Sequence, residues 1–279
     1  MAGERQFAVV ARLDLAEVIR SRWVLFCLAV QGALACAFVL IGMRESSVIG
    51  FTGMGRALMS TSHALVFVLP LFGLLATVQI VNGARESGSL ELLMAQPLSR
   101  TAWYTAISAV RCAVLVIPLM LVMVGMALTS SILFGQRIPW GFLARGLSVT
   151  SALLLCFVGL GLWISTGIRN QTRALVAAIA VWAFSVSLLD YALIGAMLRW
   201  QLPARAVFAL AVLNPVECSR LALLAAAQPE LSSFGPVGFY VANRIGGSGM
   251  TAIGIGWPLL VGFAAWAFGL RTFRKSDLI

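Results

Sequence analysis

Charge is the scarcest property of this sequence. Only 11% of its 279 residues are charged, and Lys275 is the only lysine among the basic side chains. His63 is the only histidine, and its place at the start of an apolar run is typical of a helix end rather than a metal ligand. The sequence also lacks a phosphate-binding loop and any paired acids that could support catalysis. We therefore predict that the chain is no enzyme and binds no cofactor or metal itself.

The positions of the five cysteines exclude a disulfide framework. Four of the five cysteines fall inside apolar runs, where they behave as small hydrophobic residues: Cys27, Cys36, Cys112 and Cys156. Cys218 lies outside those runs, and the spacings match neither a zinc site nor a disulfide scaffold. The chain has a net charge of +10, but its basic residues do not alternate with aromatic residues. We therefore expect these basic residues to contact membrane lipid rather than nucleic acid.

Apolar residues dominate the chain. They make up 61% of it, and the mean hydropathy is +0.97. Six runs reach the roughly 20 residues that a 30 Å hydrocarbon layer requires. They cover about residues 23–43, 63–81, 107–134, 146–168, 174–198 and 251–270. This pattern predicts an all-α, polytopic membrane protein with six transmembrane helices in a single domain over residues 1–279.

Residues 5–20 predict an amphipathic helix that lies on the membrane, within a cytoplasmic interfacial segment 1–22. Helical spacing puts Phe7, Ala11, Leu15 and Val18 on one face and Arg5, Arg12 and Arg20 on the other. The alternative is a charged lead-in without a defined face. The following apolar run is longer than a signal-peptide core, so we expect an uncleaved anchor. Arginine density predicts that both termini lie in the cytoplasm.

The predicted outer segment, residues 199–250, holds two apolar stretches that are too short to cross, at 203–212 and 216–227. Between them, Asn214 caps a helix that Pro215 begins, and Glu217 can reach back to the cap backbone. These stretches predict short outer helices that re-enter or lie along the bundle. The glycine-rich residues 246–249 predict a flexible lead into the last span.

Residues 82–100, NGARESGSLELLMAQPLSR, interrupt the apolar runs with Arg85, Glu86, Glu91 and Arg100. Residues 88–95 predict one or two helical turns, with Leu90, Leu93 and Met94 on one side. Pro97 ends that helix, and Ser99 or Thr101 can cap the next. Two interpretations stay open for this stretch: a solvated loop, or a helix outside the membrane on which another protein acts.

A few polar or sulfur-bearing residues fall inside the spans. Asp190 is an acid within the fifth run, where it either lines a substrate path or pairs with Tyr191 or an arginine. Met120 and Met123 recur at helical spacing, which favours packing over copper(I) binding, although they could also line a path. Arg111 enters the third run near its start, where snorkelling to the interface explains it.

The pattern resembles the ABC-2 type permeases of ATP-driven exporters, and within them the NosY-like branch. The similarity lies in residues 85–93 followed by 96–100, which match the E-x-G-T-L-E-L-L…P-(I/L/V)-S-R segment of that family, and in Leu213-Asn214-Pro215 with Arg220-Leu221. In that family this segment is the coupling helix that contacts the ATPase subunit. The resemblance implies a type V ABC exporter-like fold.

The resemblance also implies partners and roles. The chain would pair with a second copy, through small-residue faces such as Gly159-Leu160-Gly161, and with two copies of an ABC ATPase that carries the ATP and Mg. The coupling residues would be Arg85, Glu86, Gly88, Leu90, Glu91, Leu93, Met94, Pro97 and Arg100. A periplasmic accessory protein and a role in copper-enzyme maturation would suit a NosY-like member; a drug, lipid or peptide exporter is the alternative within the class. The alternative outside it is an ATP-independent secondary transporter or channel.

Overall fold

The computed structural model describes residues 2–44, 53–135, 137–189, 191, 195, 199, 204–227 and 244–275. Within these ranges there is no β-strand, and six helical stretches are long and apolar enough to cross a membrane. They are Trp23–Ile41, Ala57–Glu86, Arg100–Phe134, Trp140–Gly167, Gln171–Leu188 and Gly246–Lys275. The prediction of an all-α, polytopic fold with six spans is confirmed. The single-domain boundaries stay a prediction.

The described elements follow one another in chain order as α1 Ala2–Arg20, α2 Trp23–Arg44, α3 Gly53–Thr77, α4 Ile80–Glu86, α5 Ser89–Met94, α6 Arg100–Phe134, α7 Trp140–Gly167, α8 Gln171–Ala183, a π-helix Phe184–Leu188, α9 Ala204–Leu213, α10 Pro215–Ala227 and α11 Gly246–Lys275. The starts of α2, α6 and α8 and the ends of α4, α7 and α11 gather at the end of the bundle that carries residues 82–100. We call it the segment end, and the opposite one the far end.

The centre of the bundle depends on close contact between α7 and α11. A Cβ built on Gly159 would lie 2.2 Å from the Gly262 carbonyl oxygen, and one built on Gly262 would lie 2.6 Å from Cys156 Cα. On the other side of α7, a Cβ on Gly161 would meet the Thr77 hydroxyl of α3 at 2.1 Å. These glycines therefore pack against helices of their own chain. The expectation that Gly159 and Gly161 form the face for a second copy is wrong, because that face is already covered.

The first helix packs on a span with a face that differs from the predicted one. Val10, Asp14 and Val18 are its buried positions, and Val18 contacts Val110 and Val114 of α6. Leu15, which the periodicity placed on the apolar face toward the membrane, is 41% exposed. The buried stripe of α1 therefore faces α6, and that contact is one that the sequence prediction did not include. Arg22, with φ 57°, makes the turn into α2.

The second span is broken rather than continuous. Its helix ends at Thr77, and α4 restarts at Ile80 and runs to Glu86, so the first residues of the 82–100 segment are helical. The break leaves the Val81 amide without a helical partner. The Ser165 hydroxyl of α7 accepts a hydrogen bond from this amide at 2.9 Å instead. The polar segment outside the spans therefore begins after Glu86.

The two apolar stretches of the outer segment form the short helices α9 and α10, as predicted, and the chain bends by 116° between them. At the bend, the Asn214 side chain accepts from the Val216 amide at 3.1 Å, which confirms the cap. Glu217, in the first turn of α10, pairs with Arg220 at 2.5 Å.

The glycine-rich residues 246–249 are not a flexible lead. They form the first turn of α11, and glycine is used there for close approach. A Cβ on Gly247 would lie 3.1 Å from the Ala225 carbonyl, and one on Gly254, two turns further, 2.3 Å from Ala222 Cβ. The prediction of flexibility is wrong because tertiary packing against α10 outweighs the low helix propensity of glycine.

Candidate functional site

The residues between α4 and α6 form a short helix held between two defined ends. Gly88 has φ 70°, a left-handed conformation that glycine adopts without strain, and it stands at the N-cap of α5. Helix α5 ends at Met94, and the exposed Pro97 follows it. The Ser99 hydroxyl then accepts from the Ala102 amide at 3.1 Å and caps α6. The predicted helix, its stop and the Ser99 cap are all confirmed.

One face of α5 is packed into the chain. Leu90 is fully buried, and Leu93 and Met94 pack partly buried against the same cluster. At the other end of the segment, the Gln6 side-chain amide of α1 donates to the Pro97 carbonyl. Because Leu90 has no exposed surface, it holds the helix in place and is not accessible to another protein in this conformation.

The opposite face of α5 is open. Leu92 is 74% exposed, the neighbouring Glu91 is exposed, and so is Gln96 beyond the helix. Leu92 was not among the predicted contact residues. The signal was available, because a position two residues from Leu90 lies about 200° around a helix and points away from it. The surface that another protein can reach is therefore centred on Glu91 and Leu92.

Three charged residues of the predicted set contact their own chain. Arg85 donates to the Thr166 carbonyl of α7 at 3.1 Å, and Glu86 accepts from the Gln171 amide of α8 at 2.9 Å. Arg100 donates to the Arg274 carbonyl at the end of α11 at 3.0 Å. The last two contacts suit the helix dipoles, since a carboxylate faces a helix start and a guanidinium a helix end. Together the three contacts connect the residues on either side of α5 to α7, α8 and α11.

Met120 and Met123, two of the residues proposed for a substrate path, lie in different surroundings. Met123 is fully buried in the core, whereas Met120 of the same helix is 48% exposed on the outside of the bundle. Asp190 lies outside the described residues. The described part of the chain holds no group of three histidine, cysteine or acidic side chains that could bind a metal ion. No described arrangement therefore defines a path for the substrate.

An ion pair that the sequence interpretation missed lies beside the segment. The Arg111 guanidinium donates to Asp14 Oδ1 at 2.7 Å, and the two side chains are only 17% and 8% exposed. Burial raises the pKa of the Asp14 carboxyl, and Arg111 opposes that rise. Through this ion pair Arg111 joins α6 to α1. The spacing within either helix gives no sign of this, because the partner lies 97 residues away.

Six apolar spans and a short helix outside them define a multi-pass membrane protein. The family model described as ABC-2 family transporter protein matches residues 8–278, so the chain belongs to that family. It is 28% identical over 218 residues to a probable ABC transporter permease protein NosY of Pseudomonas aeruginosa, covering 76% of this chain and 79% of the relative. It is 25% identical over 231 residues to a protein of the same description from Stutzerimonas stutzeri, covering 81% and 84%.

The resemblance to ABC-2 permeases is thereby confirmed, and the chain has the role of an ABC transporter permease. Membership of this family indicates a membrane subunit that is not itself the catalyst, and it implies an ABC ATPase as partner.

Proposed function

We propose that this chain couples ATP hydrolysis by a separate ATPase subunit to movement of a substrate across the membrane, and that α5 is the coupling helix on which the ATPase acts. The observation that carries the proposal is the two-sided construction of α5. Leu90 fixes the helix to the bundle, while Glu91 and Leu92 face outward. A rigidly held helix with an accessible apolar side chain suits a docking surface for another protein.

The contacts around α5 supply a route for the motion. Glu86 bonds α8, Arg85 bonds α7 and Arg100 bonds α11, so a displacement of the segment acts on three spans together. In this proposal ATP-driven closure of the ATPase pair pushes α5, and the spans change access from one side to the other. Such coupling requires that the ATPase states interact differently with the two permease conformations.

The assembly contains two copies of this chain and two ATPase subunits. ATP and Mg stay on the ATPase, and this chain contributes no catalytic group. The segment end faces the cytoplasm of a bacterial inner membrane, which places both termini there too and brings α5 to the side where ATP is available. The similarity to proteins described as NosY supports a NosY-like role in copper-enzyme maturation, with a periplasmic accessory protein, over a drug, lipid or peptide exporter. The cargo would be a copper- or sulfur-related species.

A charge and polarity exchange on α5 tests this function. We expect Glu91→Arg and Leu92→Asp each to reduce co-purification of the ATPase subunit and to abolish ATP-dependent transport, because both side chains are exposed and neither supports the fold. Arg137→Glu is the matched control, since Arg137 is also exposed but lies in the far-end connection before α7. Normal assembly and transport in both α5 variants would remove the assignment.

A further inference from the structure

A cavity of about 560 Å³ lies at the segment end, between α1, the break in the second span, α5 and the first turns of α6. Its wall is partly apolar, with Leu75 and Ile107, and partly polar, with Asp14, Glu17 and Arg111. Trp23, at the start of the first span, also lines it. Tryptophan at a span end is typical of the membrane–water interface, so the cavity lies at the depth of lipid headgroups.

Several polar atoms of this wall are buried without a partner among the residues that the structure describes. Asp14 uses Oδ1 for Arg111, but Oδ2 is unmatched, although the residue is only 8% exposed. The Nε–H of Arg111 and the indole N–H of Trp23 are unmatched as well. Buried polar groups are normally hydrogen-bonded. Two donors and one acceptor on the wall of one cavity thus point to a ligand that carries both an acceptor and a donor.

The charges narrow the chemistry of that ligand. Among the described residues that line the cavity, Asp14 and Glu17 supply two carboxylates and Arg111 is the one cation. The excess negative charge favours a ligand with a cationic group, and the free donors favour an anionic oxygen beside it. A zwitterion with an ammonium and a phosphate fits both requirements. An isolated anion does not, because it would face two carboxylates.

We propose that this cavity binds the phosphoethanolamine headgroup of a membrane phospholipid. The ammonium donates to Asp14 Oδ2 and to Glu17, while the phosphate accepts from Arg111 Nε–H and from the Trp23 indole. The apolar wall at Leu75 and Ile107 accommodates the start of the acyl chains. A choline headgroup cannot replace it, because its quaternary nitrogen carries no N–H to donate.

Lipid retention by the intact permease tests the proposal without reference to transport. The chain is reconstituted in nanodiscs with equal amounts of phosphatidylethanolamine, phosphatidylcholine and phosphatidylglycerol, and the lipids that remain bound are identified by native mass spectrometry. We expect preferential retention of phosphatidylethanolamine. Trp23→Phe, which keeps the ring but removes the donor, and Glu17→Gln should each lower that retention about tenfold, as loss of a charged hydrogen bond does.

Matched controls exclude general effects of the substitutions. Trp140→Phe changes a 60% exposed tryptophan at the far end, and Arg137→Gln removes an exposed charge in the connection before α7; both should retain the lipid normally. Displacement of the lipid by free phosphoethanolamine would show that the headgroup alone is recognised, which also supports the site. Equal retention of the three lipids, or loss of retention in the controls but not in the cavity variants, would overturn the proposal.

Discussion

A leucine-to-alanine substitution should lower stability on one side of α5 and weaken ATPase binding on the other. Leu90 is fully buried, so Leu90→Ala removes packed side-chain atoms and should cost about 2–5 kcal/mol of stability. Leu92 is 74% exposed, so Leu92→Ala should change stability by no more than about 0.5 kcal/mol. If the ATPase covers Leu92, the same truncation removes about 1.5–3 kcal/mol of apolar burial from the complex. The Kd would then rise roughly ten- to a hundredfold.

Two assays separate these outcomes. Thermal unfolding of the detergent-solubilised permease, followed by tryptophan fluorescence, reports the stability of each variant. Titration with the purified ATPase subunit reports the Kd. We expect a lower Tm for Leu90→Ala, and an unchanged Tm with weaker ATPase binding for Leu92→Ala. Unaltered ATPase binding by Leu92→Ala, or an unchanged Tm for Leu90→Ala, would refute the assignment of inner and outer faces.

Two further substitutions test how the segment and the bundle are held. Glu86→Gln replaces the carboxylate at the start of α8 by a neutral amide, which should destabilise that helix terminus by about 0.5–1 kcal/mol. We expect faster hydrogen exchange at the Gln171 amide as a result. Unchanged exchange would show that the 2.9 Å hydrogen bond from this amide to Glu86 does not stabilise the helix start. Gly159→Ala places a Cβ 2.2 Å from the Gly262 carbonyl and should lower stability by about 1–3 kcal/mol or more in a thermal melt. Gly125→Ala has nothing within 4 Å of the new Cβ and should leave stability unchanged or raise it slightly, because alanine has the higher helix propensity, so equal melts for the two variants would contradict the packing.

Local chemistry made much of this fold predictable. The apolar runs define the spans because the hydrocarbon thickness fixes their length. The caps at Ser99 and Asn214 and the stop near Pro97 depend on residues within a few positions of each helix end. The inner face of α5 was predictable from periodicity as well, and the fully buried Leu90 lies at its centre.

Features that depend on distant partners were not predictable in the same way. The ion pair of Arg111 with Asp14 joins helices far apart in sequence, so neither residue reveals it locally. Gly246 to Gly249 have low helix propensity, yet contact with α10 makes them helical. Exposure of Leu92 does not depend on a distant partner. The leucines of residues 90–93 suggest a single apolar face, and only their angular positions on the helix show that Leu92 points away from Leu90.

Site-specific photocrosslinking at position 92 tests most directly whether α5 is where the ATPase docks. A benzophenone amino acid replaces Leu92 on α5 or, as control, Ile132, which is 80% exposed at the far end of α6. The membranes are irradiated with the ATPase subunit present. We expect a covalent product between permease and ATPase from position 92 and none from position 132. No product from position 92, or equal products from both, would contradict it.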